Sequence, residues 1–251
     1  MPGMRLEIQG LRKSFEKDEV LRGVDFTFEE GKIYGLLGRN GAGKTTFFRC
    51  LIRDLPFEAG EFTLWRAERG EKLLSDEVAF VTSEPAVPEF LTGYEFLKYF
   101  VDANHPGLGR EERERLLQDY FESLSIAERD RHKLLNEYSH GMKNKLLMLA
   151  NLLLERPILL LDEPLTSVDV VAAEEIKVVL RQFKEQQITI LSTHLLDLAL
   201  DLCDEIVLLQ NGKIQALPRE SLDQGAYRER IMGSLRHEER ATHEEGTTCE
   251  A

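Results

Sequence analysis

The sequence predicts an α/β fold: a mainly parallel sheet built around a glycine-rich loop, an antiparallel β region before it and a helical insertion within it. Three observations predict this. Gly38-Arg39-Asn40-Gly41-Ala42-Gly43-Lys44-Thr45-Thr46 has the spacing Gly, four residues, Gly, Lys, then Thr, with an apolar strand-like run before it (Lys32 to Leu37) and a helix-like start after it (Thr46 to Ile52). From Ile158 onward, strand-like and helix-like stretches alternate, as in parallel strands joined by crossovers. Between Leu91 and Leu154 the chain reads instead as mostly helical.

The first thirty residues alternate polar and apolar at Leu6–Gln9 and Val24–Glu29, with the polar turn Glu16–Glu19 between them, which predicts antiparallel strands. Phe15 ends the first of these segments. It either stacks on a purine ring or packs as a core or edge aromatic. In the glycine-rich loop, backbone N–H groups close around phosphate oxygens, and the following helix presents its positive end. Lys44 then reaches the outer phosphates and the Thr45 hydroxyl ligates Mg²⁺. This predicts a nucleoside triphosphate site.

Strand-like runs follow at Glu61–Trp65 and Val78–Thr82. In the helical block, Arg110–Ser123 with the following Leu124 places Leu116, Leu117, Tyr120, Phe121 and Leu124 at helical spacing, and its many charges read as a solvated surface. The stretch Asn104–Gly109 interrupts the helices as a loop. Ile158–Leu161 is a fully apolar strand ending in Asp162-Glu163-Pro164. Asp162 is placed to anchor the metal, and Glu163 to act as general base on an attacking water; the alternative is a plain acidic turn. A helix at Ala172–Phe183 and a strand at Ile188–Ser192 lead to His194, at the strand end where open α/β sheets put ligands. A helix at Leu195–Leu202 and strands at Ile206–Leu209 and Lys213–Ala216 complete the pattern. The tail from Arg219 is charged and poor in apolar periodicity, with its last residues expected to be loosely ordered.

Composition excludes several classes. With 42% hydrophobic and 31% charged residues over 251, the chain reads as a soluble globular protein. No apolar run approaches the roughly 20 residues of a membrane helix, and Met1–Glu7 carries no apolar signal segment. Cys50, Cys203 and Cys249 are odd in number and scattered, which fits a reducing compartment and no metal cluster. A net charge of −13 argues against nucleic acid as a partner.

Over roughly Leu6 to Pro218 the chain resembles the nucleotide-binding subunit of ATP-binding cassette (ABC) transporters. The phosphate loop, the Leu-Leu-Leu-Asp-Glu-Pro strand ending at Pro164 and Ser192-Thr193-His194 carry the likeness. Tyr138-Ser139-His140-Gly141-Met142 stands where the family pattern is Leu-Ser-Gly-Gly-Gln, keeping Ser139 and Gly141. The resemblance implies a P-loop NTPase core over 4–218, with a helical subdomain inserted at about 86–154 and a charged, partly disordered extension at 219–251. It implies an ATPase using ATP and Mg²⁺, with Phe15 on the adenine, while His194 is placed either to contact the terminal phosphate or to position the water. Ser139, His140 and Gly141, with Asp169 of the Leu165–Asp169 turn, would meet ATP held by a second subunit of a head-to-tail homodimer or heterodimer. The implied partner is a membrane-spanning permease that holds the subunit at the cytoplasmic side of the membrane. The Tyr-Ser-x-Gly-Met-Lys variant and the Thr193–Asp197 run look like the class with separate permeases that exports drugs, lipids or peptides. A soluble cassette acting in cofactor assembly or on another cytosolic machine is the competing reading. One departure stands out: Ser83 takes the place of a family glutamine that reaches Mg²⁺, and a serine is too short for that reach. Either Glu84 substitutes for it or the metal keeps an extra water.

Overall fold

The computed structural model describes residues 3–82, 84, 86–166, 168–217 and 225–233. Two sheets share the chain. The first is antiparallel, with β1 (Arg5–Phe15), β2 (Asp18–Glu29), β4 (Ala59–Arg66) and β5 (Arg69–Lys72) in the order β2-β1-β4-β5. The second has six strands, β3 (Ile33–Leu37), β6 (Val78–Val81), β7 (Ile158–Asp162), β8 (Ile188–Thr193), β9 (Glu205–Gln210) and β10 (Lys213–Leu217), in the order β10-β9-β3-β8-β7-β6. Its neighbours pair in parallel, except β10, which runs antiparallel to β9. The fold class is the one the sequence predicts.

The six-stranded sheet is covered on both faces, which explains why every residue of β7 and β8 is buried. Side chains alternate between two cores with the strand period of two. Ile158 and Leu160 join the core beneath the antiparallel sheet, whereas Leu159 and Leu161 join the core beneath the helices. Helix α1 (Lys44–Leu51) lies on the first side, filling it with Phe47, Phe48, Cys50 and Leu51. On the other side lie α2 (Gly93–Asn104), α3 (Arg110–Ser123), α4 (Glu128–Arg131), α5 (His140–Leu152), α6 (Val170–Phe183) and α7 (Leu196–Leu202).

The helical block opens on a capping box. Thr92 Oγ1 accepts from Glu95 N–H at 3.1 Å, and the Glu95 carboxylate accepts from Thr92 N–H at 2.9 Å. Residues 225–233 form a further helix, α8, and Tyr227 and Ile231 are fully buried in the helix-side core. The Tyr227 hydroxyl donates to the Leu217 carbonyl at 2.6 Å. The sequence pattern predicts no such element in the tail, because one i, i+4 apolar pair in a charged stretch is too short to show a period. The loosely ordered end expected for the tail lies outside the described residues. Strand β5 is likewise absent from the sequence pattern: all four of its residues are exposed, and only its hairpin register against β4 makes it a strand. Among the described residues no helix is long and apolar enough to cross a membrane.

Candidate active site

β3, β8 and β7 are neighbours in the sheet, so their carboxyl ends deliver three segments to one edge. The segment after β3 is the glycine-rich loop. Gly41 takes φ +86° and Gly43 φ +101°, and a Cβ on Gly43 would lie 2.7 Å from Val20 Cγ1. Gly38 is constrained differently, since a Cβ there would approach the Leu209 carbonyl oxygen to 2.9 Å. The loop can follow this path only with glycine at these positions. Lys44 turns back across it, donating to the Gly38 carbonyl at 2.8 Å and the Arg39 carbonyl at 3.4 Å.

The segment after β7 brings the acids. Asp162 is buried and accepts from both sides: Thr45 Oγ1 at 2.8 Å and Ser192 Oγ at 2.5 Å. Glu163 follows with φ +51°, a left-handed conformation that a non-glycine side chain adopts only when its surroundings impose it. The Ser192 hydroxyl and carbonyl oxygens receive its N–H at 3.1 and 3.2 Å, which fixes that turn. The carboxylate is thereby brought to 3.7 Å from Lys44 Nζ and 2.9 Å from His194 Nδ1, with Thr166 Oγ1 donating to it at 3.3 Å. His194 comes from the segment after β8.

A cleft of about 310 Å³ lies over this edge, lined by Arg39, Asn40, Gly41, Gly43, Lys44, Thr45, Thr46, Asp162 and Glu163 from the predicted set, and by Val20. Gly38 and Ala42 complete the loop beneath it, the Ala42 N–H donating to the Arg39 carbonyl at 3.1 Å. Val20, Ser192 and Thr166 are site residues that the sequence does not single out. Nothing in the sequence marks Val20, which enters through the β1–β2 hairpin, while Ser192 stands in the Ser-Thr-His run without an assigned role. Phe15 is 44% exposed at the end of the same hairpin, with Lys13 Nζ 5.0 Å from its ring centre. It belongs to no buried core, as a stacking surface requires.

A second set of residues stands apart from this cleft. Ser139 caps α5, its Oγ accepting from Met142 N–H at 3.2 Å, and Asp169 caps α6, accepting from Ala172 N–H at 3.0 Å. The two helix starts touch, because a Cβ on Gly141 would sit 3.3 Å from Ala172 Cβ and 3.4 Å from Asp169 Oδ2. Ser139 and His140 are exposed. None of these residues lines the cleft at Lys44. Ser83 lies outside the described residues; Glu84 is exposed, its carbonyl accepting from Thr82 Oγ1 at 2.7 Å.

A glycine loop at the start of a helix, a lysine across it and a hydroxyl–aspartate pair reaching a nearby strand end define a phosphate-loop nucleotide-binding protein. The family model described as ABC transporter matches residues 21–166, so the chain belongs to the ABC transporter family, as an ATP-binding subunit. It is 33% identical to the uncharacterized ABC transporter ATP-binding protein YxlF of Bacillus subtilis, over 83% of this chain and 69% of that one. It is 32% identical to the fluoroquinolones export ATP-binding protein MT2762 of Mycobacterium tuberculosis, over 84% of this chain and 70% of that one. A solved ATP-binding subunit of an ABC transporter superposes with a TM-score of 0.70 at 29% identity, covering 84% of this chain and 90% of the other. The ATP-binding transporter subunit expected from the sequence is what these comparisons show.

Proposed function

We propose that the subunit hydrolyses ATP to ADP and phosphate at the Lys44 cleft, in a dimer that closes head to tail around two ATP molecules. One observation carries this reading: the phosphate-loop machinery and the paired starts of α5 and α6 are separate faces of one chain. Each face would complete the other's site on a second subunit. Within the cleft, the loop N–H groups and Lys44 hold the phosphates, and Phe15 offers the adenine a ring. Glu163 accepts a proton from the attacking water, with His194 orienting its carboxylate through the 2.9 Å contact. From the partner's side, Ser139, His140 and Gly141 present a helix start to the γ-phosphate, with Asp169 beside them.

The residues present fit Mg²⁺. Among the described residues no group of three or more acidic, histidine or cysteine side chains forms a ready cage. Mg²⁺ needs none, since it binds through one or two protein oxygens together with phosphate oxygens and water. Thr45 Oγ1 and Asp162, already 2.8 Å apart, would hold it, and when bound it neutralises charge on the phosphate oxygens. Ser83 is not needed as a ligand in this arrangement.

On this reading the cassette spans 4–218 and works at the cytoplasmic face of a membrane, on a separate permease. Phe90 supports a protein contact on the helical block: it is 77% exposed, two residues before Thr92, whose bridge partner Leu134 is 38% exposed. The likeness to a fluoroquinolones export protein supports export as the direction. Glu163→Gln tests the mechanism. It is expected to bind ATP, to lose turnover by about 10²- to 10⁴-fold and to sediment as a dimer only with Mg-ATP. An ATP-bound Glu163→Gln protein that stays monomeric would overturn the head-to-tail model.

A further inference from the structure

The far end of α1 carries a feature that ATP binding leaves unused. The helix closes at Leu51, and two residues further on Arg53 takes φ +62°, the left-handed position after a helix that glycine usually fills. An arginine accepts a steric cost there that glycine would avoid. Its side chain then lies against a pair of touching rings, the guanidinium carbon 5.0 Å from the centre of Phe57 and 4.8 Å from that of Phe62, whose own centres are 5.2 Å apart. No carboxylate or carbonyl among the described residues accepts a hydrogen bond from it. Burial without a counter-ion holds its pKa below the ordinary arginine value.

Arg53 lines a cleft of about 460 Å³ against the β4–β5 hairpin, and Lys72 at the end of β5 lines it as well. Lys72 has no ion-pair partner among the described residues. Of the two carboxylates in the wall, Glu71 is held by Arg69 at 2.8 Å, which leaves Glu61. The wall therefore carries two uncompensated cations against one carboxylate, in a chain of net charge −13.

We propose that this cleft is a second ligand site, distinct from the ATP cleft, for a small anion bearing a carboxylate or phosphoryl group. Its oxygens meet the guanidinium fork of Arg53, and Lys72 supplies the second positive charge. Arginine's planar fork matches two-oxygen groups in a bidentate manner, and the ring pair on one side of it restrains the fork before the ligand arrives. The volume is that of a small-molecule pocket. The two clefts share no lining residue, so occupancy of one leaves the other open.

The test is calorimetric titration of malonate and, separately, pyrophosphate into the full chain with its ATP cleft saturated by ADP. Saturable binding of at least one probe is expected, with a Kd on the order of 1 mM or tighter. The stronger of the two tells carboxylate from phosphoryl. Arg53→Gly should weaken binding by about tenfold or more, while its backbone suits φ +62° and its melting midpoint does not fall. Lys72→Ala should weaken it by a smaller factor. Should Arg53→Gly not fold, Arg53→Gln, which keeps the length and removes the charge, takes its place in the titration. Absence of saturable binding to the unmodified chain overturns the proposal. So does binding that the folded Arg53 variant leaves unchanged.

Discussion

The cleft at Lys44 and the paired helix starts at Ser139 and Asp169 are built on opposite plans. In the cleft the acids draw partners from other strand ends: Thr45 and Ser192 on Asp162, Lys44 and His194 on Glu163. These contacts join residues distant in sequence, so the geometry exists only because β3, β8 and β7 are neighbours. The helix starts are satisfied locally, each by its own cap, and most of their first-turn N–H groups remain available. Two helix N-termini set side by side concentrate positive potential, with Asp169 as the nearby carboxylate. The difference teaches which face is machinery and which is a receptor. On the proposed reading, the first holds its contacts within one chain, and the second receives the phosphate that another chain brings.

The strongest test of that contrast separates the faces onto different protomers. Lys44→Ala and Ser139→Arg should each lower ATP turnover by on the order of 10²- to 10³-fold, one through the phosphate loop and the other through the helix start. A mixture of the two variants contains hybrid dimers in which one composite site has both Lys44 and Ser139. Turnover of the mixture should therefore exceed that of either variant several-fold, with a dependence on their ratio. A mixture no more active than the average of its parts would show that the faces do not cooperate across chains.

The same contrast explains what the sequence could and could not show. The phosphate loop, the Asp162–Glu163 pair and His194 were legible because each sits where a short apolar strand stops, and strand ends announce themselves in one dimension. Their mutual contacts were not, since strand order is a property of the assembled sheet; this is why Ser192, which binds both Asp162 and Glu163, has no role legible in the sequence. Val20 was hidden for a related reason, as a hairpin brings it over Gly43 from outside the motif. Among the elements, β5 escaped because none of its side chains is buried, and α8 because its signal is the single pair Tyr227 and Ile231. Arg53 could not be read at all, since its left-handed backbone and its two rings appear only in three dimensions.

A second prediction disturbs the receptor face while leaving the cleft intact. Gly93 opens α2 against Tyr138, the residue before Ser139, and a Cβ on it would fall 1.9 Å from the tyrosine oxygen. That hydroxyl donates to the Asp130 carbonyl at 2.9 Å and cannot move without giving up the bond. Gly93→Ala should destabilise the protein by about 1–3 kcal/mol through overpacking, despite alanine's better helix propensity. Denaturant melts give the stability change, while ADP affinity should stay at the unmodified value and turnover should fall. A parallel loss of ADP affinity would mean that the helical block and the cleft are not independent.

The smallest effect asks whether Ser139 is more than a cap. Ser139→Ala removes the 3.2 Å bond to Met142 N–H, and losing a serine cap costs about 1 kcal/mol. Ser139→Asp keeps a capping oxygen but places a negative charge where a phosphate is proposed to arrive. If capping were the whole role, Ser139→Asp would retain both stability and turnover, and Ser139→Ala would lose only the small stability increment. If the helix start receives the partner's γ-phosphate, Ser139→Asp stays as stable as the unmodified protein while its turnover falls below that of Ser139→Ala. Denaturant melts set beside ATP turnover for the two variants separate these outcomes, because only the second makes the better-capped protein the poorer ATPase.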